Sequence, residues 1–174
     1  AAAVLAQLPA LSLKLEGWHV NDAIEKINAI GTVTPDSGDA IAAARSAYNA
    51  LTDAQKEQVT NADVLTAAEA RYTDVVAIDG AEKAIDAIGE VTLTSGDVIA
   101  AARAAYDALT DSQKAEVSNY DKLVKAEKDY TDLLTAVEAA QKAAEDARKA
   151  FENAKAAQEK AEAAKAAAEA AQKA

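Results

Sequence analysis

The sequence predicts an all-α protein: two tandem three-helix bundles, joined by long helices that are continuous or kinked, with a long Ala-rich C-terminal helix. Three observations carry this expectation. The segment "INAIGTVTPDSGDAIAAARSAYNALTDAQKEQVTNADVLTAAEARYTD" returns without a gap as "IDAIGEVTLTSGDVIAAARAAYDALTDSQKAEVSNYDKLVKAEKDYTD", at an offset of 58 residues (Gly31 to Gly89). A fixed period of this length marks one structural unit used in series. Helix formers dominate, with only 6 Gly and 2 Pro in 174 residues, and apolar residues recur at spacings of three and four. A unit of about 58 residues buries only about 60% of its unfolded surface and is marginal alone, so copies that share helices gain a longer core.

The period divides the chain into a lead-in or the end of a preceding domain (1–19), repeat 1 (20–77), repeat 2 (78–135) and an Ala/Glu/Lys-rich helical extension (136–174). The first helix of repeat 1 is expected from a cap at Asn21 to Ile30, with Ile24, Ile27 and Ile30 on one face. Gly31, and Gly89 in repeat 2, supply the C′ position where positive φ is needed. The second helix opens in "TPDSGDAI" and "TLTSGDVI", with Asp36 or Thr94 as cap and Asp39 or Asp97 near the positive end of the helix dipole. Its stripe is Ile41, Ala44, Tyr48 and Leu51, repeated as Ile99, Ala102, Tyr106 and Leu109.

Thr52 with Gln55, and Thr110 with Gln113, have capping-box spacing and start a short helix of about two turns that ends near Val59 and Val117. Asn61 and Asn119 are expected to cap the third long helix. Its stripe is Leu65, Ala68, Tyr72 and Val75, or Leu123, Ala126, Tyr130 and Leu133. Between Asn61 and Gly89 the only breaker is Gly80, so the third helix of repeat 1 either runs straight into the first helix of repeat 2 or kinks at Gly80. After Asn119 there is no breaker, and a helix to the end would be on the order of 80 Å long. Glu138–Lys142, Glu145–Lys149 and Glu169–Lys173 are i,i+4 pairs in the favourable order. Ala140, Ala144, Ala147, Phe151, Ala154 and Ala161 form a thin stripe, either a weak coiled-coil seam or the first helix of a divergent third unit. Beyond Gln158 a solvated, fraying helix is expected.

Charge and composition narrow the function classes. The net charge of −11 opposes nucleic acid and anionic membranes, because neutralising phosphates needs clustered Lys and Arg. Without Cys there is no disulfide, thiolate metal site or Cys nucleophile. No stretch reaches the roughly 20 apolar residues of a membrane span, and "AAAVLAQLPALSLKL", lacking a basic start and broken by Pro9, does not read as an intact signal peptide.

Candidate chemistry resolves into structural roles. His19 is the only histidine, without a second imidazole or thiolate for zinc, and Trp18 beside it reads as an anchor of the first bundle. "DSGD" (Asp36 to Asp39) lacks the alternating oxygen ligands of a calcium loop, and Thr94 replaces Asp36 in repeat 2, which fits capping. Arg45 and Arg103, which could hold a carboxylate or phosphate, are expected to pair across helices with Glu69 and Glu127. Tyr48, Tyr106, Tyr72 and Tyr130 lie on core stripes with hydroxyls reaching the rim. Tyr120, where repeat 1 has Ala62, is expected to be exposed. No nucleophile elbow, phosphate loop or dinucleotide fingerprint occurs. The sequence therefore points to no enzyme, no cofactor, no metal and no catalytic or cofactor-binding residue.

The string "AARxAYxALTDxQKxxVxNxxxLxxAExxY", at residues 43–72 and 101–130, resembles a helical repeat module of secreted or cell-wall-attached multidomain proteins of Gram-positive bacteria, with a spectrin-like arrangement of helices. The resemblance covers roughly residues 20–137. It implies an extracellular, cell-surface or cell-wall spacer or stalk that sets the distance and orientation of neighbouring domains of the same polypeptide. A monomer is expected, and from charge and hydropathy neither nucleic-acid binding nor membrane insertion. The alternatives are a three-helix module that binds a host surface or serum protein of immunoglobulin or albumin type, and a coiled-coil self-association module. The exposed residues shared by both copies (Asp53/Asp111, Gln55/Gln113, Lys56/Lys114 and Asp63/Asp121) are polar and make a poor hot spot for such binding.

Overall fold

The computed structural model describes residues 17–172, which are helical with no strand among them. Helix α1 spans 17–29. A 3-10 turn, Pro35–Ser37, leads into α2 (Gly38–Asn49). The one-turn helix α3 (Asp53–Lys56) precedes α4 (Ala62–Asp86). The same sequence of events follows in α5 (Gly96–Asp107), α6 (Asp111–Lys114) and α7 (Tyr120–Gln172).

The turn chemistry largely follows the residues. Gly31 and Gly89 have φ of 59° and 61°, the left-handed conformation that ends a helix and that a Cβ disfavours. Thr52 and Thr110 donate their backbone N–H to Gln55 and Gln113 Oε1 at 2.9 and 2.8 Å, closing the expected capping boxes. The helices they start are four residues long rather than two turns, and the chain instead turns to bury Val59 and Val117.

Other starts differ from expectation. Helix α1 is already formed at residue 17, so Asn21 lies inside it and caps nothing. Capping ahead of α2 and α5 falls to Thr34 with Ser37 and Thr92 with Ser95, not to Asp36 or Thr94. The threonine N–H donates to the serine Oγ at 2.9 Å in both copies. A Thr–x–x–Ser pair closes the turn two residues earlier and leaves Asp36 exposed. Asn61 occupies the N-cap of α4, but its side chain reaches across to α1. It donates to the Ile24 carbonyl at 3.1 Å, and Asn119 does the same to Glu82 at 3.0 Å. Tying two helices together outweighs closing one helix end.

Two apolar clusters result. The first contains Ala23, Ile27, Ile41, Ala44, Leu51, Leu65 and Ala68, and the second contains Ile78, Ala81, Ile85, Ile99, Ala102, Leu109 and Leu123. The largest fully buried side chains are Ile27, Leu65, Ile85 and Leu123, the same two repeat positions in each copy. Each such aliphatic side chain contributes about 1.5–3 kcal/mol of burial. Gly38 and Gly96 complete the packing by leaving room. A Cβ there would lie 2.5 or 2.6 Å from the hydroxyl oxygen of Tyr72 or Tyr130.

Helix α4 serves both clusters without a break at Gly80. Its buried positions are Leu65, Ala68, Val75, Ile78, Ala81 and Ile85, with Tyr72 half-buried. From Tyr72 to Ala81 they advance by three residues at a time, and each such step falls about 60° short of a full turn. The buried face therefore rotates by roughly 140° between the two clusters. Val75, at the intermediate angle, is buried but belongs to neither.

Helix α7 packs on the second cluster through Leu123 and Ala126, but its continuation beyond residue 137 is covered by no other element among the described residues. Positions 58 residues beyond Ile78, Ile85 and Ile88 are Ala136, Ala143 and Asp146, and every residue from 138 to 172 is exposed. Its 53 residues make about 80 Å of helix. Phe151 is 71% exposed, so the Ala stripe around it is uncovered. Lys149 pairs with Glu145 at 2.7 Å, whereas Lys142 turns to Asp146 at 3.0 Å rather than to Glu138. Lys173 lies outside the described residues.

Glycine substitutions separate these roles. Gly31→Ala or Gly89→Ala should lower stability by about 1–2 kcal/mol through left-handed strain. Gly80→Ala should raise it by about 1 kcal/mol, the helix propensity difference. Urea midpoints for the three variants check both signs.

Candidate functional site

The polar constellation with the best geometry occurs twice. Positions beside the apolar stripes of α2 and α4 bring Arg45 against Glu69, with Nε to Oε1 and Nη2 to Oε2 both at 2.6 Å. Arg103 on α5 and Glu127 on α7 repeat both distances. The expected cross-helix pairs therefore form, and each is a planar two-point contact. Every side chain in them is roughly one-third exposed, at the rim of its apolar cluster. Hydrogen bonding to the guanidinium holds Glu69 and Glu127 below the ordinary carboxylate value of 4.5 and raises Arg45 and Arg103 above theirs. A carboxylate so held stays ionised and is a poor proton donor at neutral pH.

Aromatic rings cover the other side of each arginine. The Arg45 guanidinium carbon lies 5.3 Å from the Tyr48 ring centre. Arg103 lies 5.6 Å from Tyr106 and 5.5 Å from Tyr120. Tyr120, expected to be exposed, is half-buried and stacks on Tyr106 with centroids 4.3 Å apart and 22° between planes. Its lack of a partner in repeat 1 misled, because Tyr120 stands three residues before Leu123 and so on the same helix face. That spacing was the available signal.

The remaining candidates stay apart. Trp18 is 62% exposed and meets His19 edge-on at 5.3 Å, so it does not anchor the first cluster. Asp36 and Asp39 are both exposed. Among the described residues no group of three or more His, Cys, Asp or Glu is placed to hold a metal ion. No helix among them is long and apolar enough to cross a membrane.

Sequence reasoning missed a cleft on α4 where the two repeats meet. Pro35 stands on one side and Glu116 on the other, over Arg71, Val75, Ile78, Asp79 and Glu82. Its volume of about 180 Å³ falls below the roughly 300–1,000 Å³ of small-molecule sites. Its one guanidinium is engaged: Arg71 Nη1 and Nη2 reach the Glu116 carboxylate at 2.8 and 2.5 Å. Gln113 Nε2 donates to Asp74 Oδ1 at 2.7 Å alongside. The signal was hard to see, since Arg71 corresponds to Asp129 and Glu116 to Gln58, so the pair has no copy within the repeat.

No protein-family model, curated protein or solved structure matches the chain.

A double-mutant cycle on Arg45 and Glu69, each to Ala, should give a coupling of at most about 1 kcal/mol, given their exposure. Because the folded-state values of Glu69 and Glu127 are lowered, their contribution is complete above the ordinary value of 4.5. It disappears as pH falls further, through the depressed values. In the Glu69→Gln, Glu127→Gln variant, stability should depend less steeply on pH below that point, as denaturant titrations at stepped pH would reveal.

Proposed function

We propose that the chain is a non-catalytic helical spacer or stalk of a bacterial surface or secreted protein, built of two tandem three-helix bundles. In this reading α1, α2 and the first half of α4 form one bundle, and the second half of α4, α5 and α7 form the other. The observation that carries it is α4 itself, one helix that delivers Leu65 and Ala68 to one cluster and Ile78 and Ile85 to the next. A helix shared in this way converts two marginal units into a length of chain with a set spacing.

Charge supports the same reading. Residues 20–77 hold four basic and nine acidic side chains, residues 78–135 hold six and twelve, and residues 136–174 hold seven of each. Like charge on successive units disfavours folding back and adhesion. Arg45/Arg103, Glu69/Glu127, Gln55/Gln113 and Asn61/Asn119, polar in both repeats, are engaged within the fold as ion pairs, capping boxes and interhelical amide bonds. The resemblance of residues 43–72 and 101–130 to repeat modules of Gram-positive surface proteins supplies the extracellular setting.

Small-angle scattering of the whole chain should give a maximum dimension beyond the roughly 80 Å of α7 alone. Its radius of gyration should be well above the roughly 16 Å of a compact domain of this length. A compact profile overturns the spacer. Incubation of the immobilised chain with serum should retain nothing, whereas capture of immunoglobulin or albumin would support the binding module instead.

A further inference from the structure

The junction between the repeats is built differently from the repeats themselves. Apolar packing closes each unit, but the two clusters share no residue, and Val75 is the only buried side chain between them. Polar contacts bridge the gap on one side of α4. Arg71 and Asp74, from the repeat 1 part of the helix, hold Glu116 and Gln113 from the α6 turn of repeat 2. The cleft lies on one face of α4, midway between the two rotated core faces, and Arg71 and Asp74 flank it toward the second core face.

Gly80 lies close to half a turn away, on the opposite face. It is exposed and helical, and a Cβ added there would meet nothing within 4 Å. Neither packing nor backbone geometry asks for glycine, and repeat 1 has Asp22 at this position. A glycine weakens the helix and removes the side chain that bending toward that face would compress.

We infer that the junction is a latched hinge: α4 bends away from the cleft in the turn on the N-terminal side of Gly80, between the two cores, when the Arg71–Glu116 and Asp74–Gln113 contacts release. Closed, the latch fixes the angle between the two units; open, it lets one unit swing while α4 remains helical. Because the latch is an exposed ion pair, ionic strength sets its occupancy. The inference rests on the spacer reading, to which it adds a defined bending point.

Absence of native Cys permits a direct test on the full chain. Spin labels at Ala43→Cys on α2 and Ala101→Cys on α5, both exposed equivalents, report the distance between units by pulsed electron resonance. The parent at low salt should give one narrow distribution. Arg71→Gln and Glu116→Gln together with Asp74→Ala, or salt of about 1 M, where the Debye length is about 3 Å, should shift and broaden it. Adding Gly80→Ala should narrow it again. The charge swap Arg71→Glu with Glu116→Arg should restore the narrow distribution if the pair is the latch. An unchanged distribution in the Gln variant, or a swap that stays broad, overturns the hinge. Overall elongation is read separately by scattering, so a compact particle would count against the spacer and not be mistaken for a failed latch.

Discussion

Everything in this fold depends on α4 remaining one helix while its buried face turns. A straight helix with apolar residues at alternating three and four spacings keeps one face buried along its length. Helix α4 departs from that rule between Tyr72 and Ala81, where successive steps of three swing the stripe around the axis. The first cluster therefore packs on one side and the second on another, with a gap between them that polar side chains span. Breaking α4 would separate two units that are each too small to bury much surface alone.

Within each unit the work is divided between one apolar layer and one polar clamp. Ile27 and Leu65, or Ile85 and Leu123, fill the centre. The Arg–Glu pairs at the rim are partly solvated, so their net stabilisation is modest. Their value lies in geometry, because a two-point guanidinium contact fixes how α2 sits on α4 and α5 on α7. The same economy explains α7. Once Ala and Asp replace the isoleucines, no third apolar cluster forms among the described residues, and the rest of α7 is supported by propensity and i,i+4 pairs.

Legibility in the sequence follows the range of each signal. The capping boxes at Thr52 and Thr110 and the left-handed glycines at 31 and 89 are set within a few residues, and they were readable. The Arg45–Glu69 and Arg103–Glu127 pairs were readable because they fall beside the stripes in both copies. Asn61 and Asn119 were not, since their Nδ2 donates to a distant carbonyl that only tertiary structure supplies, while Oδ1, the capping acceptor, is left without a partner. Asp36 and Thr94 lost capping to Thr34 and Thr92 because Ser37 and Ser95 offer a closer partner. Comparison of copies misplaced Tyr120 and hid Arg71–Glu116, for repetition illuminates what repeats and obscures what does not. Of the candidate site, the duplicated clamp was visible in the residues and the junction cleft was not.

The continuity of α4 is most directly tested by native-state hydrogen exchange. Amides from 72 to 80 should be protected like those beside Leu65 and Ile85, and far more than those of the uncovered stretch 152–172 of α7. Exchange at the junction as fast as in that stretch, between two protected flanks, would mean that the helix is broken there and that the two cores do not share it.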